Sequence, residues 1–513
     1  MKKLFSILLC VALLTGCAGH MDSPYTPTGD GLDWDEDYTG PVATKPQEEV
    51  QALNLTYYPD RSMNPILCTD FTNRALFSLL YQSLFVVDRD YHTEPMLCEK
   101  YKVSSDMKTY TFYIAPNAVF SDGSPLTASD VVASLLAAKQ SKLYSGRFLH
   151  ITQIALSEDG GITVRLKTAC ENLPILLDIP IIKESQLNEN FPLGTGPYAP
   201  EPMVAGGLRL RRVDNWWYRA QMPVTAPSIG LIAAQSPTQI RDQFEFFDLD
   251  LVCADPGSDR YADYRCDYEL WNCENGIFLY LVCNMDSKVF SVPEVRRAVT
   301  HAIDRDTLAG AYYRGFAQSA ILPASPQSPY YSKTLAAQYG YDAVKFAQAV
   351  SDAGMQGRSV VLLVNSDDSL RLRVARDIGK MLTDGGLVVE MKEVGGNAYQ
   401  QALRNRDYDL YVGQTKLSPN MDLSAFFSGN GSLSYGGIAD VSTYSLCLES
   451  LANHGNYYTL HQRIMENGSI CPILFRSYAV YATRGLLTGL TPARDNVFYY
   501  SLGKTMDEAL MKE

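Results

Sequence analysis

The stretch Ser359–Val394, SVVLLVNSDDSLRLRVARDIGKMLTDGGLVVEMKEV, decides the fold class of this chain. Residues 359–365 are apolar and rich in valine, which favours a strand. Residues 369–384 repeat apolar side chains at helical spacing, and two glycines end that helix before a second apolar strand at 387–394. A strand, a helix and a strand of these lengths predict a βαβ crossover with parallel pairing, so the fold is α/β.

Capping patterns locate further helices on either side of this unit. Thr127-x-x-Asp130 opens one helix, and Ser291-x-x-Glu294 opens another that has Pro293 in its first turn. Asp304 caps the next short helix, which Gly315 stops. Apolar and β-branched runs predict strands at 53–58, 84–87, 109–114, 162–166 and 409–414, and helical spacing predicts a helix at 71–81.

The N-terminus has the pattern of an export signal. Lys2 and Lys3 precede an apolar run at 4–14, which is shorter than the ~20 residues that span a bilayer. The run ends in Leu14-Thr15-Gly16-Cys17, which resembles the bacterial lipobox. We therefore expect residues 1–17 to be a lipoprotein signal peptide, Cys17 to carry lipid, and the protein to sit on the extracytoplasmic face of the cell membrane. An ordinary signal peptide with a chance cysteine is the alternative.

Residues 18–50 predict an acidic, flexible tether, because their aspartates, glutamates and prolines leave little apolar surface to bury. They hold about half of the net charge of −13, so the remaining body is only mildly acidic and nucleic-acid binding has no electrostatic support. That body, with 46% hydrophobic residues in the whole chain, is long enough for more than one domain.

Cysteine and histidine spacing argues against redox, metal and hydrolytic chemistry. The cysteines after residue 17 show no C-x-x-C pair, so we expect them to be small buried side chains. One disulfide is the alternative, because an exported protein folds in an oxidising environment. The histidines lack metal-binding spacing, and His301 is expected on a helix surface. Because G-x-x-x-x-G-K-[ST] and G-x-S-x-G motifs are absent from the sequence too, we expect no enzyme activity and no cofactor or metal.

The order of several motifs resembles the family 5 extracellular solute-binding proteins of peptide, nickel and related ABC importers. The similar segments run from about residue 52 to about 485. They are Tyr110-Thr-Phe-Tyr-Ile with Phe120-Ser-Asp-Gly-Ser-Pro-Leu-Thr-Ala-Ser-Asp-Val132, Leu193-Gly-Thr-Gly-Pro-Tyr198, Val295-Arg-Arg-Ala-Val-Thr-His-Ala-Ile-Asp-Arg305, the helix from Tyr341-Asp342 to Met355, and Tyr408-Asp409-Leu410. Any one of these is weak, but together and in this order behind a lipobox they indicate membership.

The resemblance implies a two-lobed periplasmic-binding-protein-like fold of the large family 5 form, with hinge strands between the lobes. The expected domains are lobe I at 51–272, with 480–513 returning to it, and lobe II at 273–479. Closure is expected about strands near 270–278 and 475–485. The implied function is capture of a small solute, most simply an oligopeptide, by a monomer that delivers it to ABC permease subunits. A peptide-sensing receptor on the same fold, or an importer component for a metal chelate or an oligosaccharide, are the alternatives.

Candidate ligand contacts fall on the strand that enters lobe II and on the loop after Tyr408-Asp409. Peptide-binding members typically carry a tryptophan and an acidic loop there, whereas this chain reads Lys416-Leu-Ser-Pro-Asn-Met-Asp422 without tryptophan. Asp422 therefore serves either a ligand amine or the helix that follows, and Lys416 suits a carboxylate. The full set of predicted ligand residues is Trp271, Asn272, Tyr280, Asn284, Lys416, Asn420, Asp422 and Arg476.

Overall fold

The computed structural model describes residues 53–498, apart from 205–206, 223, 225, 259–260, 262, 487–489 and 495. The predicted signal peptide, tether and lipidated Cys17 lie outside the described residues. Within that part of the chain, no helix combines the length and the apolar character that a membrane crossing requires.

Strands and helices alternate through the described chain. The strands are β1 Leu53–Tyr57, β2 Phe85–Val87, β3 Thr93–Pro95, β4 Cys98–Val103, β5 Thr109–Ile114, β6 Ile151–Leu156, β7 Ile162–Leu166, β8 Tyr198–Pro202, β9 Leu208–Arg212, β10 Ser228–Ala233, β11 Leu251–Ala254, β12 Tyr268–Cys283, β13 Ala317–Ser319, β14 Ser359–Asn365, β15 Val388–Val394, β16 Leu410–Lys416 and β17 Ile470–Thr483. The α-helices are α1 Phe71–Arg74, α2 Phe77–Leu80, α3 Ala128–Gln140, α4 Pro237–Glu245, α5 Pro293–Ala302, α6 Arg305–Tyr313, α7 Lys333–Ala336, α8 Ala343–Asp352, α9 Ser369–Asp384, α10 Gly396–Asn405, α11 Ser424–Phe427, α12 Val441–Ala452 and α13 Tyr457–Asn467.

Two long strands join the lobes. The large sheet has the order β15-β14-β16-β12-β17-β11-β1-β10-β9-β8, and β13 pairs with β17 off this path. β12 and β17 pair antiparallel along both halves of the sheet, with a register shift between Glu274 and Phe278. Gly276 lies in that interruption with φ of +70°, a conformation that glycine adopts at little cost. We call the side with β1 and β8–β11 the first lobe, and the side with β14–β16 the second lobe.

The βαβ unit at 359–394 is confirmed. β14 and β15 pair in parallel over their whole length, and α9 lies between them in sequence and packs on both. Asp368 caps α9 by accepting a hydrogen bond from the Arg371 N–H. Leu362, Val374 and Ile378 are fully buried in the core of the second lobe, as the helical spacing predicts.

A four-stranded antiparallel sheet, β4-β5-β7-β6, carries α3. Its core continues into the second lobe, since Phe112 and Val164 belong to the same buried cluster as Tyr280 and Phe426. The segment after β17 packs elsewhere: Leu490 and Phe498 lie in the core of the first lobe together with β1.

Several local predictions are corrected by tertiary structure. The predicted helix at 71–81 is two short helices separated by Ala75 and Leu76, and the Asn73 side chain in the first of them bonds back to the backbone of Tyr58. α5 begins at Pro293 without a side-chain cap, so Ser291 does not cap it. His301 is buried rather than exposed, because the segment before α8 covers it and Nδ1 lies 2.6 Å from the Gly340 carbonyl oxygen.

Other predictions of caps and thiols agree with the structure. Thr127 and Asp130 form the reciprocal capping box of α3, and Asp304 caps α6. The cysteines that the structure describes are all buried, and none of them forms a disulfide with another described cysteine.

Candidate ligand-binding cleft

A cavity of about 410 Å³ opens on the first-lobe side of the crossing strands. Its walls come from the segments that follow β1 and β11, from α1, and from β17 through Tyr478. A neighbouring cavity of about 270 Å³ lies between the segment after β11 and the second-lobe helices α6 and α9. Both cavities are lined by Ser258 and Tyr261, so together they form a cleft with walls from both lobes.

Aromatic rings dominate the larger cavity. Tyr478 stacks on Phe71 with ring centroids 3.6 Å apart and an interplanar angle of 18°. The Arg61 guanidinium lies 4.0 Å from the centroid of the Tyr58 ring, and Tyr264 packs edge-on against Phe244 behind the wall. Such rings offer a solute large apolar contact areas and π-faces for cationic groups.

The ion pair between Arg476 and Asp255 lies at the junction of the two lobes. Arg476 Nη2 donates to both Asp255 oxygens, at 2.8 and 3.0 Å. Burial of Arg476 lowers the pKa of its guanidinium, but the Asp255 carboxylate outweighs that effect and raises the pKa above its ordinary value. A Cβ on Gly257 would lie 2.1 Å from Arg476 Nη2, so any larger residue there would have to displace the guanidinium from its present position. Arg476, one of the predicted ligand residues, thus has an anionic partner within the chain.

Asp422 lies away from this cleft. His150 Nε2 is 2.9 Å from Asp422 Oδ2, and the Ser424 N–H donates to Oδ1 at 2.8 Å. Burial opposes ionisation of Asp422, but the hydrogen bond and charge of His150 hold the pKa of this carboxyl below its ordinary value. These contacts favour the structural role of the two considered for Asp422, since its oxygens already face protein groups near the start of α11.

The remaining predicted residues lie on β12 or directly after it, at the end of β16 and in the loop that follows β16, and none of them lines the two cavities of the cleft. Trp271 is half-buried against the first-lobe core, and the Asn272 Oδ1 beside it is buried without a hydrogen-bond partner among the described residues. Asn284 Nδ2 donates to the Tyr408 carbonyl oxygen at 2.8 Å, which joins β12 to the segment before β16.

Tyr280, Lys416 and Asn420 complete that set. The Tyr280 ring packs 5.0 Å from Phe426, and burial raises the pKa of its hydroxyl. Lys416 is half-buried opposite Ile277 in the sheet. Asn420 is buried, and its backbone carbonyl oxygen accepts a hydrogen bond from the Tyr457 hydroxyl. Their contact with a ligand stays a prediction.

Sequence reasoning missed the residues that form the cleft walls, above all Asp255, Tyr478 and Arg373. A signal for part of the wall was present, because β1 and β11 pair in parallel and Tyr58 and Asp255 follow their carboxyl ends. In open α/β sheets, ligands bind outside the carboxyl ends of the strands. Recognising this required knowing that two strands almost 200 residues apart are neighbours (Leu55 pairs with Leu251).

One further group of polar side chains lies outside the two cavities of the cleft. Asp88, Asp90 and His92 have ligand atoms within 4.8 Å of one another on the turn between β2 and β3. Asp88 Oδ1 accepts hydrogen bonds from the backbone N–H groups of Asp90 and His92, both at 2.8 Å. These bonds stabilise the turn, so the turn itself explains why the three side chains lie close together.

Two α/β lobes that share two long strands and enclose a cleft define a two-lobed binding protein. A family model described as "Bacterial extracellular solute-binding proteins, family 5 Middle" matches residues 92–434, more than half of the 513-residue chain. The chain belongs to this family of extracytoplasmic solute-binding proteins.

Comparison with known proteins gives the same result. The chain is 22% identical over 450 residues to the oligopeptide-binding protein AppA of Bacillus subtilis, covering 80% of this chain and 79% of that protein. It is 25% identical over 368 residues to the glutathione-binding protein GsiB of Pectobacterium atrosepticum, covering 67% of this chain and 69% of that one. The crystal structure of a putative peptide binding protein AppA from Clostridium difficile superposes with a TM-score of 0.70, at 17% identity, over 87% of this chain and 98% of that one. The two-lobed fold is confirmed by this superposition.

Proposed function

We propose that this chain captures short peptides in the cleft between its lobes and delivers them to the permease subunits of an ABC importer. The observation that carries the proposal is the cleft itself: a cavity of about 410 Å³, lined by aromatic rings and by the charged side chains Arg61, Asp70 and Asp255, with a second-lobe wall beside it. Peptides offer side chains for the rings and charged ends for polar groups. The relatives named for oligopeptide and glutathione binding support this ligand class.

Arg373 is the second-lobe residue that we expect to contact the ligand. It lies exposed on α9 at the border of the smaller cavity, with its guanidinium 5.9 Å from the centroid of the Tyr312 ring. A guanidinium suits a carboxylate because its planar donors match the two carboxylate oxygens. Contacts to Arg373 from a ligand seated against the first lobe would favour the closed form, since a ligand shifts this equilibrium only through contacts made better there.

Closure requires the lobes to move about their shared strands. β12 and β17 cross between the lobes near Gly276 and Arg476, and the register shift at Glu274 marks the place where the sheet can bend. Binding and release in this mechanism need no bond chemistry, so the protein acts as a carrier and not as an enzyme.

Membrane attachment through Cys17 completes the proposal. A lipid on Cys17 and the acidic segment 18–50 would hold the two lobes near the permease at the extracytoplasmic face, and the protein would work there as a monomer. Cys17→Ser should abolish incorporation of radiolabelled fatty acid and release the protein from the membrane fraction. Label that still enters the variant would contradict lipidation at this residue.

The ligand class is tested by a thermal-shift screen of the full-length chain in detergent. A tripeptide library should raise the melting temperature, since a ligand that binds only the folded state stabilises it by about 2.7 kcal/mol at a hundred times its Kd. Free amino acids, oligosaccharides and nickel–histidine should not. Arg373→Gln should weaken peptide binding, whereas Arg376→Gln is the matched control because Arg376 pairs with Glu393 on the outer face of the same helix. A shift with nickel–histidine or an oligosaccharide alone would refute the peptide assignment.

A further inference from the structure

The first-lobe wall of the cleft carries acidic side chains that the resemblance to peptide-binding proteins does not predict. Among the described residues that line the larger cavity, the carboxylates are Asp70 and Asp255. Asp70 is occupied within its own segment, because it caps α1 through the Asn73 N–H at 3.2 Å and its other oxygen contacts Arg61. The Asp255 side chain is 33% exposed and lies on the cavity wall.

Asp255 is held in a fixed position. Its Oδ1 accepts a hydrogen bond from the Gly257 N–H at 2.9 Å, and Arg476 Nη2 bonds both oxygens. Arg476 is only 8% exposed, so its guanidinium lies behind the carboxylate and not at the cavity surface. A carboxylate offers about four lone-pair sites. Asp255 therefore keeps acceptor capacity for a donor that enters the cavity.

Aromatic rings surround the same cavity. Phe71 and Tyr478 form a stacked pair on its wall, and Tyr58 and Tyr264 also contribute to its lining. The faces of such rings attract cations through their quadrupoles. A carboxylate among several π-faces is the environment that binds an ammonium or guanidinium group.

The second lobe does not offer an equivalent carboxylate at Asp422. The Asp422 side chain is 7% exposed, contacts His150 and Ser424, and borders a cavity of only about 10 Å³. An amine could reach it only by displacing His150. An acidic group that receives a ligand cation in the cleft is therefore a residue other than Asp422.

We infer that Asp255, on the first-lobe wall, binds the cationic group of the ligand. For a peptide this is the terminal ammonium, which enters the cavity beside the stacked pair of Phe71 and Tyr478. Arg476 is a positioning residue, since it touches Asp255 and not the ligand. The inference rests on the proposed capture of peptides and adds the orientation in which they bind.

The test compares tripeptides with free, acetylated and amidated ends, bound to the full-length chain in detergent and followed by calorimetry. Acetylation of the amino terminus should weaken binding to the wild-type protein about 10- to 100-fold, the scale of a lost charge-assisted hydrogen bond. Asp255→Asn should bind free and acetylated peptides with similar affinity. Asp263→Asn is the control, because Asp263 is an exposed aspartate of the same region that pairs with Arg314, and it should keep the preference for the free amine.

Two outcomes overturn the inference, and they differ from failure of the proposed function. If acetylated peptides bind the wild-type protein as tightly as free ones, no carboxylate receives the ammonium; this measurement needs no variant to fold. If Asp255→Asn keeps the full preference for free amines, another residue receives it. If no tripeptide of any form binds, the peptide assignment fails and the cation site falls with it.

Discussion

Replacing His461 should make this protein less sensitive to acid. His461 lies in α13, is fully buried, and has its ring 5.8 Å from that of Tyr457. In the part of the chain that the structure describes, neither of its ring nitrogens has a hydrogen-bond partner. Burial lowers the pKa of this imidazole to about 3, because a positive charge there would have neither water nor a counterion.

The sign and size of the effect follow from linkage between protonation and folding. The pKa of His461 is depressed in the folded state, so below its unfolded value of about 6.5 the unfolded chain binds the proton more readily. The free energy of unfolding then falls by about 1.4 kcal/mol per pH unit down to about pH 3. Between pH 7.5 and pH 5.0 this single residue should remove about 2 kcal/mol of stability.

The assay is urea unfolding of wild type, His461→Leu and His92→Leu at pH 7.5 and 5.0. Leucine removes the titrating group and the buried unpaired nitrogens, so the variant should lose about 2 kcal/mol less than wild type on acidification. His92 is an exposed turn residue, and its variant should follow wild type. Contributions from other groups, such as Asp422, cancel in the difference. Equal losses in wild type and His461→Leu would refute the reasoning.

Three more substitutions test contacts that join parts of the fold. Asp422→Asn should lower the ligand-free stability by about 1–3 kcal/mol at neutral pH, because it breaks the buried contact with His150. Since the folded pKa of Asp422 is depressed, the difference in stability from wild type should shrink as pH falls below about 4. Unchanged melting together with weakened amine binding would contradict this structural role. Gly257→Ala should disrupt the Asp255–Arg476 pair, because the new methyl would lie 2.1 Å from Nη2, and peptide affinity should fall, whereas Gly310→Ala, which has open space, should leave affinity unchanged. Glu274→Gln should destabilise the protein by about 3–5 kcal/mol, since Glu274 accepts hydrogen bonds from Tyr91 at 2.6 Å and from Ser325 at 2.8 Å and faces the buried Arg494. A melting curve like that of wild type would show that the buried pair of Glu274 and Arg494 does not stabilise the crossing strands.

The elements that sequence predicted well are those whose structure is decided locally. The βαβ unit has its strand, its helix and its second strand within one residue of the predicted bounds, because apolar spacing and the glycine stop act over a few residues. The α3 capping box is equally local. His301 shows the opposite case: its burial depends on a segment about 40 residues further on, which covers α5 and supplies the Gly340 carbonyl.

The site was harder to predict than the fold for a related reason. Motifs that carry the family resemblance form caps, turns and packing contacts, and these specify where strands run without specifying which side chains face the cleft. The cleft wall is made where β1, β11 and β17 lie side by side, so Tyr58, Asp255 and Tyr478 meet although they come from three distant segments. The loop after β16 was predicted to contact the ligand because its sequence differs from that of peptide-binding members. Asp422 nevertheless lies buried against His150, which directly precedes β6 of the four-stranded sheet, so a side chain of this altered loop makes a contact within the protein. A change in a family loop is therefore evidence about ligand choice only after the protein partners of its side chains are known.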